Sequence, residues 1–456
     1  MTLATKTAGR SSSDAVAGGL REVLDLAYPV ILTQLSRTTM GLVDSAMVGR
    51  LGAVQLASVG FGGIWLWTLF SLFFGAATGV QTFVSQAHGA ERPRECGPWA
   101  WQGLYALFPA AAVSAVLVAL ALEPALWLLA PSETLQSEAT SYILARLPGE
   151  LLFVASMVVV SFFRGLGDTR TPLYITIGAN LVNAVLDYGL IFGRLGLPEW
   201  GVAGAGIATS LATLFGITSL FAALQRRKLR AHFATRPVAP DRVAMWRFLR
   251  TGAPIGGQWF LDMMAFALFT TLVARMGDNQ MAATQALLML LSLSFMQAVG
   301  ISVATSTLVG RYIGAQTLDA ARRTFRSGLK LGAILSCTVG LIFVTFPRPL
   351  LRIFTDDPTV LDLGMPLIWL CAAFQFFDCA AIVSEGALRG AGDTRWPFLV
   401  QTALNWAFFL PLAYLLAVAM GYGLTGAWLA EFVYIAVLAL VMISRFRSGA
   451  WEHIRI

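Results

Sequence analysis

Carboxylates stand within long apolar runs at several places in this chain. Asp44 lies in the stretch TTMGLVDSAMVG, and Asp187, Asp262 and Asp378 have similar surroundings. A charge near the middle of a lipid bilayer costs at least ~2.5 kcal/mol on insertion scales, so each of these acids needs a function or a partner. Such an acid can take up a proton or hold a bare sodium ion, because small cations of this kind prefer oxygen ligands.

The spacing of the polar residues places a first group near one membrane surface. At a helical rise of about 1.5 Å per residue, Asp44 lies roughly 8 Å from the outer end of its apolar run, Asp187 roughly 9 Å and Thr209 roughly 10 Å. Asn183 precedes Asp187 by four residues and therefore shares its helix face. We predict a cation-coupling site for Na⁺ or a proton at Asp44, Asn183, Asp187 and Thr209.

A second pair of acids lies deeper. Asp262 and Asp378 are each roughly 20 Å from the outer end of their runs, near the membrane midplane. Arg37 lies at the same depth and is a candidate charge partner for them. Carboxylates near one another compete for charge, and a buried carboxyl that gains and loses a proton can couple an ion gradient to a change of conformation.

Composition indicates the elements that position these groups. The 456 residues are 57% hydrophobic and only 12% charged, whereas soluble domains are roughly a quarter charged. Apolar runs of about twenty residues, long enough to cross ~30 Å of hydrocarbon, recur along the chain. They predict an all-α polytopic membrane protein with twelve spans, at about 24–49, 54–85, 98–122, 139–163, 172–193, 202–224, 249–275, 281–309, 327–347, 365–387, 397–418 and 424–444.

Basic residues predict the orientation of the chain. If both termini are cytosolic, six of the 32 Lys and Arg lie outside and Arg37 lies within the first span, which leaves 25 on the inner side. This distribution agrees with the positive-inside rule. The N-terminus has no apolar segment typical of a signal peptide, and we expect a location in the bacterial inner membrane. The basic stretch between the sixth and seventh spans is interpreted as contacting anionic lipid headgroups, not nucleic acid.

The chain is duplicated. RGLGDTRTP at 164–172 recurs as RGAGDTRWP at 389–397, an offset of 225 that also pairs Pro29 with Pro254 and Asn180 with Asn405. Near the end the offset becomes 222, where GVAGAGIAT matches GLTGAWLAE. Two six-helix bundles related by a pseudo-two-fold axis along the membrane normal, with a cleft between them, are typical of transporters. The predicted units are a disordered cytosolic tail 1–20, an N-lobe 21–225, a basic linker 226–248, a C-lobe 249–445 and a cytosolic tail 446–456.

Other acids have a structural interpretation. Asp168 and Asp393 lie on the short turns of the RGxGDTRxP motifs, where they are expected to cap the following helix or to pair with arginine. Glu150 and Glu385 lie nearer helix ends and are interpreted as structural, whereas Glu431 lies level with Thr209 and is left open.

Several classes of function are disfavoured. The sequence has no GxxxxGK[ST] phosphate loop for an ATP-driven pump, and its three histidines lie at or beyond the ends of the spans. No nucleophile–base pair or metal-binding spacing is visible, so we expect neither an enzyme nor a bound cofactor. We also expect a monomer.

The sequence resembles the multidrug and toxic compound extrusion (MATE) family over residues 20–445, NorM-like but with the N-lobe cluster of the archaeal and DinF-like branches. The segments that carry the resemblance include PVILTQLSRTTMGLVDSAMVGRLG, ANLVNAVLDYGLIFG, APIGGQWFLDMMAF and FDCAAIVSEGALRGAGDT, together with the two RGxGDTRxP turns. The resemblance implies two bundles in a V, alternating access, and export of organic cations against inward flow of H⁺ or Na⁺.

The resemblance also implies roles for single residues. Asp44 matches the acid of the first helix on which members rely, and Asn183, Asp187 and Thr209 match the cluster of the archaeal branch. Asp262 falls where NorM-type members carry glutamate, Asp378 matches their helix-10 aspartate, and Gln285 matches a polar residue of helix 8. Arg37 fits no pattern of the family.

One alternative is a flippase for lipid-linked oligosaccharides of the same wider superfamily. Its anionic pyrophosphate cargo requires a cleft rich in Arg and Lys, whereas this chain offers Arg37 against at least four acids. Small organic cations are therefore the expected cargo, and both H⁺ and Na⁺ remain open as the coupling ion.

Overall fold

The computed structural model describes residues 17–129 and 132–454, which fold into helices joined by short turns. In chain order the helices are α1 (Leu20–Gly49), α2 (Ala53–Gly89), α3 (Pro93–Leu129), α4 (Glu133–Gly165), α5 (Arg170–Phe192), α6 (Gly201–Leu224), α7 (Arg227–Phe233), α8 (Arg242–Ala274), α9 (Asp278–Gly314), α10 (Leu318–Thr345), α11 (Pro347–Arg352), α12 (Pro358–Ala391), α13 (Arg395–Ala403), α14 (Leu410–Tyr414) and α15 (Gly423–Arg447). No strand occurs in the described ranges, so the predicted all-α class is confirmed.

Eleven helical segments of the described ranges are long and apolar enough to cross a membrane. The twelfth is α1, whose apolar run is interrupted by Gln34, Arg37 and Asp44. Its 30 residues extend roughly 45 Å at 1.5 Å per residue, which exceeds the ~30 Å of a hydrocarbon core. The prediction of a multi-pass helical membrane protein is confirmed.

The eleventh span is a helix of mixed type. α13 continues through a π-helical segment, Leu404–Phe409, into α14, and a second π-helical segment, Leu415–Ala419, follows. Pro411 lies at the start of α14. Because proline has no N–H to donate to the preceding turn, a wider turn around it accommodates the break in the hydrogen-bond ladder.

The duplication is visible in the helix boundaries. A shift of 225 moves 53–89 to 278–314, which are the bounds of α2 and α9, and moves 133–165 to 358–390, which differs from α12 by one residue. The residues before α2 and α9 also match, because Gly52 has a φ of 147° and Gly277 a φ of 134°. Both values lie in the region that favours glycine. The two halves therefore share one backbone plan.

Each half has its own hydrophobic core. One core is formed by buried side chains between Val48 and Phe248, and the other by buried side chains between Phe269 and Trp451. A third cluster joins the first half of α1, through Val23 and Ala27, to α9, α10 and α12 of the second half. The two lobes are thus separate bundles, with α1 packed on both.

The lobes meet on one side of the membrane. We call the side where α1 begins and α15 ends the tail side, and the opposite side the far side. A Cβ built on Gly75 of α2 would lie 2.8 Å from the Cα of Gly256 in α8. Nearer the tail-side end of α2, Gln86 Nε2 donates to Gly390 O at 3.0 Å. Close backbone packing and hydrogen bonds therefore close the tail side.

Gly75→Ala is expected to lower the free energy of unfolding. The added methyl group would meet three backbone atoms of Ile255 and Gly256 at 2.8–3.1 Å, and backbone cannot move aside as a flexible side chain can. Overpacking of this kind costs about 1–3 kcal/mol. Thermal unfolding of the purified protein in detergent, followed by tryptophan fluorescence, measures the change.

Gly60→Ala is the matched control on the same helix, because a Cβ at Gly60 would meet nothing within 4 Å. It gains helix propensity, up to ~1 kcal/mol. If the Gly75 variant melted at or above the temperature of the Gly60 variant, the tight lobe contact at Gly75 would be refuted.

The turns of the repeated motif have the structural roles predicted for them. Asp168 accepts hydrogen bonds from the Thr171 backbone N–H at 3.0 Å and from its hydroxyl at 2.6 Å, at the start of α5. Asp393 pairs with Arg445 at 2.9 Å, and the guanidinium of Arg445 also lies over the Trp396 ring. One acid caps a helix and the other forms an ion pair.

The segments outside the bundles differ in part from the predicted boundaries. Of the predicted tail 1–20, residues 1–16 lie outside the described residues. Gly18, in contrast, is buried and its N–H donates to Tyr312 Oη at 3.0 Å. The linker is shorter than 226–248 because α8 begins at Arg242. It packs on the N-lobe, where Trp101 Nε1 donates to Thr235 O at 3.1 Å.

The C-terminal segment packs on the end of α15. Trp451 is buried against Phe446, and residues 455–456 lie outside the described residues.

Candidate functional site

A cavity of about 740 Å³ lies between the lobes. Its walls come from α1, α2 and α4 on the N-lobe side and from α8, α9, α12, the eleventh span and α15 on the C-lobe side. Apolar and aromatic side chains such as Trp67, Trp259 and Phe295 provide most of its surface. Its charged lining residues are Arg37, Arg164, Asp262, Asp378, Glu385, Arg389 and Glu431. A volume of this size suits a drug-sized ligand.

The C-lobe wall of the cavity is acidic. Asp262 accepts hydrogen bonds from Gln401 Nε2 at 2.7 Å and from Asn405 Nδ2 at 2.8 Å, which orient its carboxylate. Asn405 lies in the π-helical segment 404–409 of the eleventh span. The irregular turns of this span therefore help to present an amide to Asp262.

Another acid of this wall is neutralised within its own helix. Glu385 pairs with Arg389 one turn later on α12, and Arg389 also donates to Gln258 Oε1 at 3.3 Å. This ion pair agrees with the structural interpretation of Glu385, although both residues line the cavity. The pair contributes little net charge to the site.

Asp378 and Glu431 are the acids of the wall that remain available to a ligand. Both are partly buried and line the cavity. No hydrogen bond or ion pair joins either carboxylate to another described residue. Together with Asp262 they form a set of carboxylates that face the cavity from three different helices, α8, α12 and α15. Such a wall attracts a cation and desolvates it against aromatic neighbours.

The N-lobe wall is basic. The guanidinium of Arg37 lies 5.0 Å from the centre of the Phe153 ring, and Arg164 lines the cavity with 6% of its surface exposed. The predicted ion pair between Arg37 and the deep acids is not formed in this structure. The reason is that Asp262 accepts hydrogen bonds from amides of the C-lobe, while Arg37 stacks on an aromatic ring of its own N-lobe.

Three residues of the first predicted group, Asp44, Asn183 and Asp187, lie together in a second cluster outside the cavity. Asn183 Nδ2 donates to Asp44 Oδ1 at 3.0 Å and also to Asp187. Asp187 is fully buried and Asn183 is 3% exposed, whereas Asp44 is partly buried. The other oxygen of Asp187, Oδ1, is buried without a hydrogen-bond partner in the described part of the chain. Two carboxylates therefore share one amide donor and leave a buried oxygen free to accept.

Thr209 lies on α6 in the same lobe. Its hydroxyl donates to Ala205 O at 2.9 Å, which leaves its oxygen lone pairs to accept or to ligate. Across the described ranges, no group of three His, Cys, Asp or Glu side chains is placed to hold a metal ion. The oxygens that the structure brings together in this cluster are those of the two carboxylates and of the Asn183 amide, and no hydrogen bond of the described residues joins the Thr209 side chain to them. Hard oxygen donors of this kind suit Na⁺ or a proton.

Gln285 and Glu150 belong to neither the cavity nor the Asp44 cluster. Gln285 is exposed on α9 and is not among the residues that line the cavity. Glu150 pairs with Arg146 at 3.0 Å, in agreement with its structural interpretation.

Three polar or charged residues of the cavity, Gln401, Asn405 and Arg164, were not predicted as site residues from the sequence. Gln401 and Asn405 hold Asp262, and Arg164 was assigned only to the turn motif. The sequence contained a clue to Asn405, because the repeat pairs it with Asn180. In the N-lobe, Asn180 Nδ2 likewise donates to a residue of the first helix of its lobe, Ser36, at 2.7 Å. For Arg164 the signal is the lack of an acid four residues earlier, where Val160 stands in place of Glu385.

A duplicated bundle of twelve membrane helices, with a largely apolar cavity that carries charged side chains between its lobes, defines a secondary transporter. Residues 29–189 and 254–415 match the MatE family model. The chain belongs to the MATE family of transporters.

Relatives of known name span nearly the whole chain. The "Probable multidrug resistance protein NorM" of Thermotoga maritima is 31% identical over 437 residues, which cover 95% of this chain and 93% of that protein. The "Multidrug resistance protein MdtK" of Pectobacterium atrosepticum is 31% identical and covers 94% and 95%.

Solved structures of low sequence identity share the fold. The Vibrio cholerae MATE transporter VcmN, in its bent form, superposes with a TM-score of 0.83 at 20% identity and covers 94% of this chain and 96% of that one. The eukaryotic MATE transporter AtDTX14 has a TM-score of 0.83 at 22% identity, with 95% and 96% covered. These likenesses agree with the two six-helix lobes described above.

Proposed function

We propose that this chain is a secondary antiporter that exports small organic cations, drugs among them, in exchange for H⁺ or Na⁺. It works by alternating access in the bacterial inner membrane, as a monomer and without a cofactor. It catalyses no covalent reaction. The names of its relatives, which are multidrug resistance proteins, support this substrate class.

The charge of the cavity is the observation that carries the proposal. Three carboxylates that form no ion pair with another described residue, Asp262, Asp378 and Glu431, face a largely apolar space of about 740 Å³ that aromatic rings line in part. Aromatic faces and carboxylates together favour organic cations. A flippase for a lipid pyrophosphate would need the reverse, a wall dominated by Arg and Lys. The cavity carries four acids against three arginines, and this excess of acid favours the antiporter over the flippase.

The Asp44–Asn183–Asp187 cluster is the proposed coupling site. Two carboxylates that share one amide donor repel each other when both are ionised, and burial makes this repulsion stronger. Binding of a proton or a sodium ion relieves the repulsion. The cluster does not line the drug cavity, so ion and drug occupy separate sites in this state and affect each other through the helices.

α1 is the proposed link between the two sites. Its first half packs on the C-lobe through Val23 and Ala27, while its second half is tied to α5 by Asp44. Pro29 lies within the helix and removes one backbone hydrogen bond, which makes bending at this point less costly. A cation at Asp44 changes the tie to α5, and α1 transmits the change to the lobe contact and to Arg37 in the cavity wall.

The proposed orientation makes this an outward-facing state. If both termini are cytosolic, the closed tail side faces the cytosol, and we infer from this closure that the cavity between the lobes opens to the outside. In the exchange cycle a cation from outside would enter the Asp44 cluster as the drug leaves, and the lobes would then rock to open the tail side.

The test is efflux of ethidium, a permanently charged aromatic cation, from proteoliposomes with an imposed H⁺ or Na⁺ gradient. We expect one of the two gradients to drive efflux, and ethidium to stimulate the counterflow of that ion. If neither gradient drives ethidium movement, the export of cations is refuted, and transport of a lipid-linked oligosaccharide becomes the hypothesis to test.

A further inference from the structure

One pair of equivalent positions in the two repeats carries opposite charges, and a neighbouring pair sets an acid against a neutral ring. At the offset of 225, Asp262 corresponds to Arg37 and Asp378 corresponds to Phe153, whose ring lies under Arg37. Both members of each pair line the same cavity. The duplicated scaffold therefore places an acidic wall and a basic wall on either side of one space.

Arg164 of the basic wall lacks the partner that its repeat counterpart has. In the C-lobe, Arg389 pairs with Glu385 one turn earlier. The repeat equates Arg389 with Arg164, whose residue one turn earlier is Val160. Within the described parts of the chain, no Asp or Glu forms an ion pair with Arg37 or Arg164. Only 6% of Arg164 is exposed.

An unpaired guanidinium in a desolvated place is costly unless an anion compensates for it. Arg164 and Arg37 both line the cavity, so an anionic group of a ligand is able to reach them. A guanidinium offers two parallel N–H donors to a carboxylate, which adds geometric selectivity to the attraction. The opposite wall offers the carboxylates of Asp378 and Glu431 to a cationic group of the same ligand.

We propose that Arg37 and Arg164 form an anion subsite, and that the preferred ligands are dipolar organic ions that carry an ammonium or iminium group and a carboxylate. The cationic end lies toward Asp378 and Glu431, and the carboxylate binds the two guanidinium groups. This inference rests on the proposed function and narrows it, because a simple organic cation uses only one wall.

Tetramethylrhodamine and its methyl ester are a matched pair of probes. Both have the same cationic ring system, and only the free acid carries a carboxylate at neutral pH. Fluorescence polarisation with the purified protein in detergent gives the Kd of each probe. We expect wild type to bind the acid more tightly than the ester. For the Arg37→Gln/Arg164→Gln double variant we expect the Kd ratio of ester to acid to fall by about tenfold or more, which is the loss of a charge-assisted hydrogen bond.

Two further variants separate recognition from general effects. Arg37→Lys/Arg164→Lys keeps both charges and should retain a preference for the acid, weakened by the loss of the planar fork. Arg326→Gln removes one positive charge at an exposed place on α10 and should leave the ratio as in wild type.

The possible results distinguish failure of the anion subsite from failure of the proposed cation export. A wild-type protein that binds the ester as tightly as the acid overturns the anion subsite and leaves cation export intact. A double variant that loses both probes equally also overturns it, since the arginines would then act on folding or conformation. If wild type binds neither probe, the proposed export of aromatic cations fails as well.

Discussion

Gradient-driven efflux of ethidium is expected to fall at least tenfold, to the level of protein-free liposomes, when Asp44 is replaced by asparagine. The structure gives the reason. Asp44 accepts a hydrogen bond from Asn183, which also donates to the buried Asp187. Asparagine cannot be ionised at this position, so it neither takes up a proton nor supplies a charged oxygen to Na⁺. The coupling ion then loses half of its carboxylate ligands, and the gradient no longer drives the change of conformation.

Ethidium binding should change little in this variant, because Asp44 does not line the cavity. Binding to the purified protein, measured beside efflux, therefore separates loss of coupling from loss of substrate. Asp25→Asn is the matched control, since Asp25 lies on the same helix and is exposed near the tail side. If the Asp44 variant keeps wild-type efflux under the same gradient, the coupling role passes to Asp262 and Asp378, and the cluster around Asn183 becomes structural.

Asp378→Asn is expected to weaken the binding of ethidium by roughly 10- to 100-fold. Asp378 faces the cavity and forms no hydrogen bond or ion pair with another described residue, so its charge is available to a ligand. A hydrogen bond or close contact that involves a charged group contributes about 1.5–3 kcal/mol, and each 1.4 kcal/mol is a factor of ten in Kd. Fluorescence titration of ethidium with the purified variant measures the effect.

The control for this prediction is Asp362→Asn. It is the same change on the same helix, at an exposed position outside the cavity, and its Kd should equal that of wild type. An Asp378 variant with wild-type affinity would contradict the acidic wall as the site of cation recognition. Asp44→Asn and Asp378→Asn thus have different expected signatures, because the first reduces coupling and the second reduces affinity.

The fold was accessible from sequence because hydrophobic length and repetition carry the information directly. Each of the twelve predicted spans lies on a helical segment of the structure. The offset of 225, found from motifs such as RGLGDTRTP and RGAGDTRWP, reproduces the bounds of α2 and α9. A membrane helix must satisfy its backbone within the helix and bury an apolar surface in lipid, so its position depends mainly on local composition.

Part of the site was also accessible. Asn183 and Asp187 are four residues apart on one helix, and helical geometry alone places them together. The similar depth of Asp44 on another helix predicted the rest of the cluster, in which Asn183 joins the two carboxylates. Depth is a one-dimensional quantity that sequence supplies for every membrane helix, and this cluster needed little more than depth and helix face.

The lateral arrangement of the helices, unlike the depth of their residues, could not be predicted from the sequence. Arg37 and Asp262 have the same depth, which suggested an ion pair, but they lie on opposite walls of a cavity. Asp262 instead accepts from Gln401 and Asn405, in a segment whose π-helical turns were not predicted. Sequence gives the height of a residue along its helix, whereas its neighbours at that height depend on how twelve helices are rotated and packed.

The sequence by itself thus determined the twelve helices, the duplication, the depth of each buried charge and the pairing of Asn183 with Asp187. Only the tertiary structure decided that the drug-sized cavity excludes the Asp44 cluster, that Asp378 and Glu431 face it without partners, and that Arg37 and Arg164 form its opposite wall. The physical reason is that helix formation and membrane insertion are governed by local composition. The partner of each buried charge is instead selected by contacts between residues far apart in the chain, such as Asn405 with Asp262.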